Sequence, residues 1–332
     1  MKKIAALVLA LILVAGLMTI SVSAEGELKT GLAAVTSLTS SKSATADADG
    51  LAQTDAAVVA VTVDQDGKIV DCVIDAIQAK INFGADGSLK TDISTIFKTK
   101  TELGADYGMA KASPIGKEWF EQAAALAEYV KGKTVDEVLA IAVNEDKQPT
   151  GADLTASVTI KIGSYLEAIV KAAQNAQAIG AGAGDKLGLG IASDMHVSKA
   201  AAADAAGSAQ SYSFMTAVTY NDQGVVTSCI MDALQGTVAF DAAGQITSDV
   251  SAAPQTKNEL GEAYGMKKAS AIGKEWNEQA AGFAAFVVGK NAEQVTGIQL
   301  TEDGKAADAD LASVASVTVS EMQAVVLKAL QG

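Results

Sequence analysis

The sequence predicts an α+β protein made of two tandem copies of one domain, each an antiparallel sheet with a hairpin and packed helices. Three observations carry this. First, the chain repeats itself at a fixed shift of 157 residues: Cys72 and Cys229, Tyr107 and Tyr264, Trp119 and Trp276, and Lys171 and Lys328 fall opposite one another without a gap. Residues 99–124 and 256–281 share 20 of 26 positions, in the pattern T-K-x-E-L-G-x-x-Y-G-M-x-K-A-S-x-I-G-K-E-W-x-E-Q-A-A. A period this long exceeds that of solenoid repeats, so each copy is expected to fold as an independent domain. Second, β-rich runs flank the turns at 64–67 and 221–224, which predicts a hairpin in each copy. Third, the strands and helices follow the order hairpin, strand, two helices, strand, helix, without the regular alternation of a doubly wound sheet.

Element by element, the chain opens on Met1, Lys2 and Lys3, an apolar run and a small-residue exit ending at Ala24. That is the pattern of a cleaved secretory signal over residues 1–24, with an uncleaved anchor as the alternative. The expected location is therefore secreted or cell-surface, with no transmembrane span after cleavage. Residues 27–178 form the first copy, 179–187 a Gly/Ala-rich flexible joint, and 188–332 the second copy. Within the first copy, 37–50 is rich in Ser, Thr, Asp and Ala and reads as an irregular segment. The polar turn at Asp86 and Gly87 suggests a third short strand after Phe83. Ser113 and Pro114 read as the start of a helix that carries Trp119 on its buried face, with Glu118 and Glu121 on its solvated face. Thr134 with Glu137, and Asn291 with Gln294, predict a second short helix in each copy. A β-rich run and a last helix close each copy, with Ser164 and Glu167 or Ser320 and Gln323 as cap signatures.

Composition narrows the function. The net charge is -14, the pI is about 4.5, and every one of the 25 basic residues is Lys. Without the planar Arg fork, an acidic chain is a poor partner for nucleic acid. Two cysteines, Cys72 and Cys229, make no disulfide framework; mid-strand, they read as small buried hydrophobes, the alternative being redox thiols. His196 has Thr39 opposite it and so serves no function common to both copies. Asp75 and Asp232 end the hairpin's second run, where capping a turn is the first expectation and contacting a ligand the second. Zinc-protease, dithiol-redox and serine-hydrolase motifs are absent, and no catalytic constellation emerges. Tyr107, Gly108 and Met109 with Lys111 recur as Tyr264, Gly265 and Met266 with Lys268. The first expectation is a tight turn packing Tyr and Met into the core; the second is that a glycine turn, an aromatic ring and a lysine beside a helix N-terminus hold an anionic planar ligand.

The opening G-L-A-A-V-T-S, the strand before a D-G-K-I turn, the D-A-I-Q exit and the later D-G-S-L-K-T-D resemble exported FMN-binding domains. These belong to bacterial extracytosolic electron-transfer flavoproteins and to the flavin subunits of ion-pumping redox complexes. In that family the FMN phosphate is commonly joined to a Thr in a D-x-x-S-G-A-T run ahead of the last helix. Asp153 to Thr159 keeps the Asp-to-Thr spacing, with Ser157 and Val158 in place of the Gly and Ala; Thr159 falls opposite Ser316, and Thr318 lies two residues on. The resemblance implies FMN as cofactor, a phosphate near Thr159 and Ser157 or near Ser316 and Thr318, and isoalloxazine near Tyr107 and Tyr264. It implies electron transfer or flavin carriage with an unknown redox partner. The alternative is a cofactor-free cell-surface or secreted binding or structural protein.

Overall fold

A computed structural model describes residues 26–331; the expected signal peptide lies outside them. Strands β1 (Lys29–Ser37), β2 (Gly50–Val63) and β3 (Ile69–Phe83) form an antiparallel three-stranded sheet in sequence order. After them come β4 (Ile96–Phe97), α1 (Lys100–Leu103), α2 (Trp119–Val130), α3 (Val135–Leu139), α4 (Ala152–Thr155) and α5 (Gly163–Gln174). The second half repeats this with β5 (Lys186–Asp194), β6 (Gly207–Tyr220) and β7 (Val226–Phe240). It then adds α6 (Lys257–Leu260), α7 (Trp276–Val287), α8 (Ala292–Thr296), α9 (Ala309–Val314) and α10 (Ser320–Ala329). β4, from the first half, joins the second sheet, whose order is β4-β5-β6-β7. The class is α+β, with two antiparallel sheets and the helices packed on them.

The two sheets face each other. Ala56, Val58 and Ala60 of β2 point into a cluster shared with Met215 and Ala217 of β6 and Leu187 and Ile191 of β5. The alternate residues Ala57, Val59, Val61 and Val63 pack outward against Trp119, Leu126 and Ile169 on the helices. A strand covered on both faces needs apolar residues at every position, which is why β2 reads A-A-V-V-A-V-T-V rather than alternating. The layers are therefore helices, sheet, sheet, helices. Each half keeps its own core beneath its helices, and the two halves share the layer between the sheets.

Both hairpins form, and both tryptophans are buried, Trp119 at 1% and Trp276 at 2% exposure. Several local expectations are corrected. The opening G-L-A-A-V-T-S is a full strand, β1, missing from the expected element order. Residues 113–118 are turns and extended chain; α2 begins at Trp119, where Glu118, half-buried, and Glu121, exposed as expected, form a reciprocal capping box. The closing β-rich runs hold a short helix and irregular chain. Ser164 and Ser320 lie within the first turns of α5 and α10, whose N-caps are Ile162 and Val319 without side-chain caps. The third strand after Phe83 is reduced to one bridge, Phe83 to Leu89. The joint is tied down by two backbone hydrogen bonds, Leu28 N to Ala181 O and Ala183 N to Gly26 O, and Gln177 just ahead of it by two more, Thr30 N to Gln177 O and Gln177 N to Thr30 O. Small residues let it lie along the edge of β1.

Equivalent residues tie the halves together twice. Lys171 pairs with Glu259 and donates to Ala34 O; Lys328 pairs with Glu102 and donates to Ile191 O, at 2.6 and 2.9 Å. Gly31 and Gly188 admit the ends of α5 and α10, since a Cβ on either would lie about 2 Å from Ala172 O or Ala329 O. No helix among the described residues is long and apolar enough to cross a membrane.

Candidate functional site

In the second half, Thr256 caps α6 by a reciprocal box with Glu259 and so fixes the next residue, Lys257, at 2% exposure. The Lys257 ammonium lies 4.6 Å from the ring centre of Tyr212, 4.5 Å from that of Tyr264 and 4.7 Å from that of Trp276, and donates to the Tyr212 hydroxyl. Burial holds its pKa down at about 7, against a smaller opposing pull from Asp232. Burial likewise raises Asp232 to about 6, despite hydrogen bonds from Thr256, Asn258 and Ala233. Lys257 with Tyr212, Tyr264 and Trp276 borders a cavity of about 360 Å³ whose mouth carries His196, Lys305, Thr318 and Glu321. His196 bonds through Nδ1 to Asp194 and lies 6.2 Å, ring to ring, from Tyr212.

A buried glutamine aligns the two motifs that frame this cavity. Gln279 on α7 donates through Nε2 to Ser270 Oγ and Lys274 O, while its Oε1 accepts from Ser316 N at 2.8 Å, Ser316 Oγ at 3.1 Å and Val317 N at 3.2 Å. Its neighbour Glu275 accepts from Met266 N and Lys267 N, pinning the Y-G-M turn. The same hub recurs as Gln122, which accepts from Thr159 N and Thr159 Oγ1 and donates to Ser113 Oγ and Lys117 O.

Of the residues expected from sequence, Tyr264 and Thr318 line one cavity. Ser316 sits one step behind it on Gln279. Thr159 is held by Gln122, and the Ser157 hydroxyl donates to Leu154 O at 3.2 Å. Tyr107 packs on the first core under Lys100, whose Nζ lies 4.9 Å from its ring centre. Lys111 and Lys268 are exposed in the turns that follow and do not border the cavity. The lysine of the site is instead Lys257, with Tyr212 and Trp276. Its signal was present in the repeated T-K-x-E-L-G run, where the lysine directly follows a capping threonine.

The first half fills the equivalent place differently. Tyr165 stands opposite Met322, accepts from Trp119 Nε1 at 3.2 Å and packs on that ring. Asp55 stands opposite Tyr212 and accepts from Gln53 and Gln78. Burial pulls Lys100 down, but Tyr165, Tyr107 and Asp55 outweigh it and the net shift is upward.

Cys72 and Cys229 are buried free thiols, pushed up by burial, Cys229 to about 12, which leaves them unreactive near neutrality. Asp75 and Asp232 accept from the backbone N–H of Thr101 and Asn258, the capping role expected first. Among the described residues no group of His, Cys, Asp or Glu is arranged to hold a metal ion. Comparisons with protein-family models, curated proteins and solved structures return no match for this chain.

Proposed function

We propose that this chain is an exported flavin-related binding module, carrying FMN for extracytosolic electron transfer, and that its second half holds the ligand. One observation carries the reading: Tyr264 and Thr318, from motifs more than fifty residues apart, border a single aromatic cavity around Lys257. Tyr212, Tyr264 and Trp276 offer ring faces for an isoalloxazine, and Lys257 offers a proton donor whose charge is adjustable near neutral pH. Thr318 and Lys305 at the mouth suit a phosphate. A cavity of about 360 Å³ falls in the range of small-ligand sites. Bound flavin would contribute reversible electron uptake; the chain's own residues orient it, exclude water from one face and hold a proton at Lys257 Nζ.

The test is colour and retention. Purified full-length protein, produced with and without a flavin transferase, is scanned for flavin absorbance and weighed by mass spectrometry, then titrated with FMN and with riboflavin. Retained FMN that is lost in Lys257→Met and weakened in Thr318→Val supports the reading. A colourless protein that gains no mass and retains neither compound would favour a cofactor-free surface-binding protein.

A further inference from the structure

The two halves carry equivalent grooves whose bordering strand edges are unequally paired. In the second half, a groove of about 600 Å³ beside β7 and α7 is bordered by Ile230, Met231 and Ala281, and Gln177 and Ile179 form part of its rim, with Gln177 paired to Thr30 of β1. Its counterpart beside β3 and α2, about 480 Å³, is bordered by Val73, Ile74, Phe120 and Ala124. There its far wall is strand β5 itself, at Leu187, Gly188 and Leu189. Thr30, which bonds to Gln177 through both N–H and C=O, stands opposite Leu187 in the repeat, and the pairings Thr30–Thr62 and Leu187–Thr219 match. By that register, the N–H and C=O of Leu187 and Leu189 point away from β6. Among the described residues no segment pairs with β5 there; β4 reaches only Ser193 and Asp194.

We infer that the β5 edge at Leu187 and Leu189, with the adjoining groove, is a docking site for an extended peptide with small apolar side chains. The chain itself shows what such an edge takes: in the other half Gln177 exchanges backbone bonds with Thr30 of β1 and Ala181 accepts from Leu28 N, so an extended Gln-Ala-Ile-Gly-Ala segment runs along the strand edge at the groove rim. Backbone bonds along an open edge provide the pairing, and alternate side chains enter the groove. Phe120, more than a third exposed, replaces Asn277 and makes this groove the more apolar of the two at that point. Ala124 and Ala127 keep the α2 wall low enough for a chain to lie against it. This site is on a different surface from the Lys257 cavity and does not depend on it.

The experiment uses full-length protein and a synthetic capped peptide of residues 176–184, A-Q-A-I-G-A-G-A-G. Titration followed by NMR should give saturable shifts centred on Leu187, Leu189 and Phe120, with slowed amide exchange at Leu187 and Leu189. Ala124→Glu, at an exposed helical position, should weaken binding at least tenfold, whereas Ala281→Glu, in the groove whose bordering strand edge is already paired, should leave it unchanged. Absence of saturable binding at millimolar peptide, or binding indifferent to Ala124→Glu, overturns the proposal. So does concentration-dependent dimerisation that protects the same two amides, which would assign the edge to a second copy of this chain.

Discussion

Phe83 and Phe240, equivalent residues of the two halves, stack ring on ring with centroids 4.2 Å apart and an interplanar angle of 12°. A residue meets its own repeat mate only near a local two-fold axis, so the halves relate as the subunits of a symmetric dimer do. The doubled ties of Lys171 to Glu259 and Lys328 to Glu102 obey the same symmetry.

That symmetry makes the behaviour of a half predictable. Residues 26–178 expressed alone would expose Leu32, Ala34, Val58, Ala60 and Ile77, which the intact chain buries between its sheets. The fragment should form a homodimer by light scattering, and Phe83→Ala, which removes a fully buried ring, should shift it toward monomer or unfolded chain. A stable monomeric fragment would count against the shared core as a determinant of folding.

Trp119→Ala and Trp276→Ala should each cost about 3–5 kcal/mol in denaturant unfolding, from lost burial plus the cavity left behind. Trp119 also loses its bond to Tyr165. A near-neutral result for either would place the ring outside the core.

The pH dependence of stability should show two windows. Lys257 has a folded pKa near 7 against an ordinary value of 10.5. Folding therefore releases a proton between these values, and stability should rise with pH there by up to about 1.4 kcal/mol per unit. Asp232 has the opposite sign: raised from 3.8 to about 6, it contributes stability that is complete below pH 3.8 and lost as pH rises through 6. Urea titrations from pH 4 to 10 should show the upper slope vanish in Lys257→Met and the lower one in Asp232→Asn.

Gln279→Leu keeps the volume and deletes the hub, leaving the hydroxyl and amide of Ser316 unpaired. Stability should fall by about 1–3 kcal/mol. FMN retention should fall as well, because the Y-G-M turn and the Thr318 loop lose their common anchor. Gln122→Leu should match the stability loss without the binding loss.

The sequence made the hairpins, the buried tryptophans and the α3 and α8 caps legible, because turn residues and capping pairs are local signals. It left the helix start ambiguous: Ser113 followed by Pro114 imitates a cap, but Glu118 with Glu121 closes a reciprocal box that wins. The runs around Val158 and Val317 imitate strands because they line a core, although among the described residues they pair only through one bridge, Lys305 to Thr318. β1 escaped notice for the opposite reason, being read as a motif while its partner β2 lay beyond an irregular loop. Around the cavity, Tyr264 stood out by repetition and Thr318 only through the resemblance to FMN-binding domains. Lys257 was marked by the repeated T-K-x-E-L-G run, but Tyr212 carried no such signal, because only tertiary packing brings a strand residue of β6 beneath α6.

The pseudo-two-fold arrangement also frees the protein from a constraint that binds true dimers. In a homodimer every substitution is made twice, so a change that opens one cavity opens its mate and doubles any cost in stability. Here the matching positions mutate separately. Asp55 and Tyr165 stand in one half where Tyr212 and Met322 stand in the other, and one strand edge can be paired while its mate lies bare. One half can be specialised as scaffold and the other as receptor, on a single chain whose stoichiometry is fixed by covalent linkage.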